Sequence, residues 1–152
     1  MSLELKVPPP VVAMVSAFAI WGLAQSVPEL AVNVPGQRLV GGLVALCGLL
    51  LGFVALGLFK RYNTTFTPVA PQKSSALVTT GIYRMTRNPM YLGLAVILLG
   101  WTIALGTIAG LFLIAGFVAY ITRFQIVPEE AALRQIFGED FTAYCRRVRR
   151  WL

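Results

Sequence analysis

Residues 39–59 read LVGGLVALCGLLLGFVALGLF, an unbroken run without a single charge. A helix of this length rises ~30 Å, enough to cross the hydrocarbon layer of a bilayer. The glycines along it (Gly41, Gly42, Gly48, Gly52 and Gly57) permit a neighbouring helix to approach closely. The reading that follows is a transmembrane helix, and the rest of the chain is interpreted from there.

The composition agrees. Of 152 residues, 57% are hydrophobic and 12% charged, with a mean hydropathy of +0.75. A soluble domain carries about 25% charged residues, so material for a water-facing surface is missing. The longest polar stretch, residues 60–88, leaves no room for a separate soluble domain, and one domain over residues 1–152 is expected. Net charge is +7, from 13 Lys+Arg against 6 Asp+Glu. In a membrane protein this excess is explained by basic loops on the cytosolic side, and nucleic acid is not expected as a partner. Cys47 and Cys145 fall at different membrane depths, which argues against a disulfide. With no histidine in the chain, a zinc or haem site is not expected.

Three further spans are expected. The first covers residues 11–32; its barely basic start (Glu4, Lys6) separates it from a signal peptide. Residues 91–121 again carry no charge, and a single helix of that length would be ~45 Å long. Two short spans, 89–105 and 107–125, joined near Gly106-Thr107, resolve the excess. With four spans, both termini and the loop 60–88 share one side, which then holds every basic residue except Arg38. That side is expected to be cytosolic. The fold class is therefore all-α, an integral membrane bundle of about four transmembrane helices. A cytosolic amphipathic helical tail, 128–152, follows, with Gly138 ending one helix, Glu139-Asp140 opening the next and Trp151 as an interfacial anchor.

Three polar islands interrupt the apolar sequence. They are Asn63-Thr64-Thr65-Phe66-Thr67-Pro68, the block from Gly81 to Gly93, and Pro128-Glu129-Glu130 with Leu133, Phe137-Gly138, Phe141 and Tyr144 after it. Each has an ordinary reading. Asn88-Pro89 is a helix start, Arg84 and Arg87 are anchors, and Glu129 and Glu130 are first-turn acids. Together they imply more, because carboxylates at a membrane face crowded with arginines suit paired, buried work. Arg123 and Glu130 are two turns apart and share a face if the helix continues through Pro128. That proline is expected to kink the helix, because its ring opposes the carbonyl of Phe124.

The order Arg87-Asn88-Pro89-Met90-Tyr91-Leu92-Gly93, then Glu129-Glu130, Leu133, Phe137-Gly138, Tyr144 and Arg150-Trp151 resembles the isoprenylcysteine carboxyl methyltransferase and phospholipid methyltransferase superfamily. The likeness covers the last half of the chain. It departs at Asn88, where the family pattern has histidine. The resemblance implies S-adenosyl-L-methionine as cofactor, bound between the last membrane helices and the tail. Tyr83, Arg87, Asn88, Pro89, Tyr91, Leu92, Gly93, Glu129 and Glu130 are then the candidate cofactor-binding residues, and Arg123 and Glu130 the candidate catalytic ones. It also implies a lipophilic or prenylated acceptor that enters from the bilayer, with membrane lipids as further partners. A carboxylate acceptor needs only a cation such as Arg123 to orient it, whereas a phosphatidylethanolamine-type amine needs a base, for which only Glu129 or Glu130 is at hand. The pre-ionised acceptor is favoured. A phospholipid N-methyltransferase is the second reading, and a non-catalytic membrane scaffold or lipid-binding protein the third. No oligomeric state follows from the sequence.

Overall fold

Prolines start the first, third and last helices, and the pattern they punctuate is the fold. A computed structural model describes residues 4–27, 31–61 and 77–152; the polar island at 63–68 lies outside the described residues. Helix α1 spans Pro9–Ser26, α2 Gln37–Arg61, α3 Pro89–Leu105, α4 Gly110–Ile121 and α5 Val127–Arg147. A short 3-10 turn, Gly81–Arg84, precedes α3, and a π-helical turn, Thr122–Ile126, joins α4 to α5. The helices α1 and α2 and the run Gly110–Arg147 are long and apolar enough to cross a membrane, and α3 is a shorter apolar helix. The chain is thus an all-helical bundle of the expected kind. The first span is shorter than expected: Val27 leaves helical geometry (φ −132°, ψ 65°), as the residue before a proline tends to.

Antiparallel packing of α2 on α3 is the tightest seam. A Cβ on Gly41 would lie 2.5 Å from the Gly100 carbonyl oxygen, and one on Gly48 2.6 Å from that of Gly93. The backbones therefore touch at two points one heptad apart, where only glycine fits. Helix α1 packs across α3 and α4, with Ile20, Leu98, Phe117 and Ile121 buried between them. The outer faces keep Phe18, Leu43, Leu50, Phe53 and Phe112 exposed, which is the surface lipid would cover.

The α3–α4 hairpin turns at Gly106 (φ 66°), where the sequence places it, and Val32 donates to the Gly106 carbonyl (2.7 Å). The four helices run up and down, so residues 4–10, the end of α2, the start of α3 and the π turn meet at one end. Arg38 lies at the other. From Gly110 to Phe137 the helix is ~42 Å long at 1.5 Å per residue, well beyond ~30 Å of hydrocarbon. Its charged half, from Pro128 on, therefore stands outside the apolar layer. The tail is continuous with the fourth span, and its break comes at Gly138 (φ 51°, ψ −120°), which turns residues 139–147 back toward the bundle.

Pro128 does not simply bend the helix. Its ring cannot donate to the Phe124 carbonyl, and the amide of Leu5 takes that acceptor instead (3.0 Å). Gln125 Nε2 donates to Val7 O (2.8 Å), and Arg123 pairs with Glu4 (3.0 Å). The segment before α1 is thereby fastened to the π turn.

Gly100→Leu is expected to destabilise the fold by ~1–3 kcal/mol, because the added side chain must separate two touching backbones. Gly42→Leu, at a position where a Cβ meets nothing within 4 Å, should not lower stability, since leucine favours the helix over glycine. Thermal unfolding of both variants in detergent makes the comparison, and equal losses would contradict the seam.

Candidate functional site

The block before α3 binds the chain's last residues. Thr86, fully buried, donates through Oγ1 to Arg150 O (3.3 Å) and accepts from the Asn88 amide (3.1 Å). The Arg87 amide donates to Arg149 O (3.0 Å). Its guanidinium reaches further: Nη1 donates to Cys145 O (3.1 Å) and Val148 O (3.0 Å), carbonyls at the end of α5 that have no helical partner. Asn88 stands at the N-cap position of α3, but its side chain makes no capping bond; Nδ2 donates to Arg150 O (2.9 Å). Tyr83 is buried edge-on against Phe59 (centroids 5.4 Å), and its carbonyl accepts from Tyr144 Oη (2.7 Å).

Glu130 is where these segments meet. Oε1 accepts from Arg87 Nη2 (2.8 Å) and Arg150 Nε (3.1 Å), and Oε2 from Arg150 Nη2 (2.7 Å). Burial alone would raise its proton affinity, but the hydrogen bonds from Arg150 and the charge of Arg87 outweigh it and hold the carboxyl below the ordinary carboxylate range. Glu129, the next residue, has the opposite environment. Desolvation raises its carboxyl, the hydrogen bond from Tyr91 Oη opposes that, and the neighbouring Glu130 charge adds to it, leaving Glu129 well above the usual range. Adjacent carboxylates are thus set apart, one ionised and fully engaged, the other inclined to hold a proton.

Tyr91 connects this cluster to an apolar groove of about 530 Å³. Pro8, Pro9 and Pro10 form one wall, α2 contributes Gly52 and Phe53, and Tyr91 lines it from the first turn of α3.

Of the residues expected in the site, Tyr83, Arg87, Asn88, Tyr91, Glu129 and Glu130 come together. Pro89 opens α3 and is buried, and the Leu92 amide makes the helix's first bond to Asn88 O (2.9 Å). Gly93 lies in the seam with Gly48 and also lines the groove. Arg123 is not brought to Glu130. Its side chain is 61% exposed in the pair with Glu4, because the π turn winds more slowly than an α-helix and shifts the face that seven-residue spacing implies. Arg150 belongs to the resemblance and Thr86 to the block before α3, but neither is among the expected site residues, and Gln125 is in no motif. Gln125 follows Thr122 and Arg123 at the end of the last span and is almost fully buried.

Glu130→Gln removes the counter-charge of a buried guanidinium and should destabilise the protein by about 2–4 kcal/mol, at the lower end because Arg150 is partly exposed. The depressed carboxyl fixes the pH dependence. The difference between wild type and variant is complete above the ordinary carboxylate range and disappears only as pH falls through the lowered value. Denaturant unfolding at neutral and strongly acid pH measures this, and a difference that ignores pH would contradict the assignment.

The chain is similar to known proteins. The family model for PEMT, phospholipid methyltransferase, matches residues 37–140, more than half of the chain. An uncharacterized protein of Haemophilus influenzae is 43% identical over 63 residues, 41% of this chain and 100% of that protein. The protein-S-isoprenylcysteine O-methyltransferase of Schizosaccharomyces pombe is 30% identical over 107 residues, 64% of this chain and 45% of the yeast protein, so the chain spans less than half of that relative's length. No solved structure matches. The ordered blocks from Arg87 to Trp151, the helical bundle and the family match agree: the chain belongs to the phospholipid methyltransferase family, within the superfamily that includes the isoprenylcysteine O-methyltransferases.

Proposed function

We propose that the protein is an S-adenosylmethionine-dependent membrane methyltransferase whose lipophilic acceptor reaches the site from the bilayer. One observation carries the reading. Tyr91 belongs to two environments at once, lining the apolar groove and donating to Glu129 in the polar cluster. An enzyme that joins a water-soluble methyl donor to a lipid-soluble acceptor needs such a junction. The positive-inside bias supports a cytosolic polar end, with both termini on that side.

The cluster suits the cofactor's chemistry. S-adenosylmethionine carries an ammonium, ribose hydroxyls and a carboxylate. Both oxygens of Glu130 are occupied by arginines, which leaves Glu129 as the acceptor for the ammonium or a ribose hydroxyl. A buried donor, Arg87 Nε, has no partner among the described residues and suits an anionic oxygen. The surrounding segment from Tyr83 to Leu92 would frame the molecule, with Asn88 fixing the C-terminal residues beside it. When bound, the cofactor supplies an electrophilic methyl group on a cationic sulfur. The protein's own contribution is alignment and the exclusion of water by Tyr91 and the groove walls.

The carboxylate inventory bears on the acceptor. Glu130 is engaged, Glu129 is assigned to the cofactor, Glu4 pairs with Arg123, and Glu139 and Asp140 are exposed beyond Gly138. No described carboxylate remains as a base, which favours an acceptor already ionised, a carboxylate of the prenylcysteine kind. Arg123 can orient such a group only if its pair with Glu4 opens. The second reading, a phosphatidylethanolamine-type amine, is supported by the raised proton affinity of Glu129, which suits a general base near neutral pH.

Calorimetry with S-adenosylmethionine and detergent-purified protein tests the assignment. Wild type should bind saturably and Glu129→Gln should bind about ten- to hundred-fold more weakly, the loss of one charge-assisted hydrogen bond. Because Glu129 holds its proton until the pH exceeds its raised value, wild-type affinity should climb with pH through that range, while the variant's stays flat. Folded wild-type protein that does not bind would overturn the reading.

A further inference from the structure

Five glycines lie along α2, and they are not there for one reason. Gly41 and Gly48 are required by the seam with α3, where any side chain would strike backbone. Gly52 is different. Its own backbone touches the seam, since a Cβ on Gly93 would lie 3.2 Å from the Gly52 nitrogen, but a Cβ on Gly52 itself would meet nothing within 4 Å. Packing therefore does not exclude a side chain at 52, and alanine or leucine would favour the helix over glycine. Gly42 and Gly57 also face open space. Only Gly52 of these three lines the groove that Tyr91 also lines.

We propose that Gly52 is the specificity-determining residue of the acceptor groove: its missing side chain keeps a channel open along α2 for a single hydrocarbon chain of the acceptor. This rests on the methyltransferase reading above and deepens it by naming the residue that admits the acceptor's hydrocarbon chain. The groove supports that role. Its lining holds only one side chain with a polar group, Tyr91, while Leu94 and Ile97 continue it along α3 toward the middle of the bundle. From Tyr91 to Ile97 the α3 wall rises ~9 Å, so part of a long chain is held and the rest trails between α1 and α2 into lipid. A side chain at 52 would enter this space from a Cβ that touches nothing, and leucine would fill the path of the chain while sparing the seam.

The test uses full-length protein in nanodiscs and a diazirine-bearing palmitic acid as the probe. In wild type, cross-links to the half-buried Leu94 and Ile97 should saturate and be competed by unlabelled palmitic acid. Labelling of the outward Leu43 and Leu50 should rise without saturation, as annular lipid does. Gly52→Leu should lower the saturable labelling about ten-fold or more, with outward labelling, melting temperature and S-adenosylmethionine binding unchanged. Gly52→Ala, the milder variant, should give an intermediate loss and keeps the test valid if the leucine variant does not fold. Saturable labelling that persists in both variants, or its absence from wild type, would overturn the role of Gly52. Failure of wild type to bind S-adenosylmethionine, with labelling behaving as described, would instead overturn the methyltransferase reading and leave a lipid-binding groove.

Discussion

The carboxylate of Glu130 is the constraint on which the polar end of the molecule depends. It accepts from Arg87, 43 residues before it, and from Arg150, 20 residues after it, so three remote segments have one meeting point. Taking a carboxylate out of water is costly unless its lone pairs are filled by charged donors, and two guanidiniums fill them. Once these are in place, the neighbouring Glu129 falls opposite Tyr91 at the start of α3. The Asn88 and Thr86 side chains then hold the backbone carbonyl of Arg150, and Trp151 Nε1 donates to Thr122 Oγ1 (3.0 Å). Trp151 is accordingly a packing residue against the bundle, where an interfacial anchor was expected.

A second constraint arises from a missing hydrogen bond. Pro128 cannot supply the donor that Phe124 O would receive in a regular helix, and the amide of Leu5 supplies it. The residues leading into α1 are therefore tied to the π turn, and the prolines that follow them become a wall of the groove. A defect in one helix thus positions a segment more than a hundred residues away. The glycine seam does the complementary work deeper in the bundle, drawing α2 onto α3 so that Gly52 and Tyr91 border the same space.

Much of this was legible in the sequence because it is local. Charge-free runs announce membrane helices, Gly106 and Gly138 mark turns through their tolerance of positive φ, and the glycines of 39–59 imply a close neighbour. The seam confirms Gly41 and Gly48 in that role. The first helix ends at Ser26, where Val27 leaves helical geometry, short of the expected limit at 32 that hydrophobicity implies. Arg123 and Glu130 were placed on one face by α-helical arithmetic that the π turn does not obey. Asn88 has the sequence context of an N-cap, yet its amide is drawn to a carbonyl 62 residues away. Partnerships such as Glu130 with Arg150 are tertiary facts, and no local spacing encodes them.

The central claim is that a methyl group passes from a soluble donor to an acidic, lipid-soluble acceptor at Tyr91 and Glu129. The most direct measurement incubates purified protein in nanodiscs of native lipid extract with methyl-tritiated S-adenosylmethionine and follows label into the organic phase. The account predicts donor-dependent labelling that alkali releases as volatile methanol, the behaviour of a methyl ester, and that is lost in Glu129→Gln. Organic label that resists alkali would mark an N-methylated amine and contradict the acidic acceptor. No transfer by folded protein, with lipid acceptors in excess, would contradict the claim as a whole.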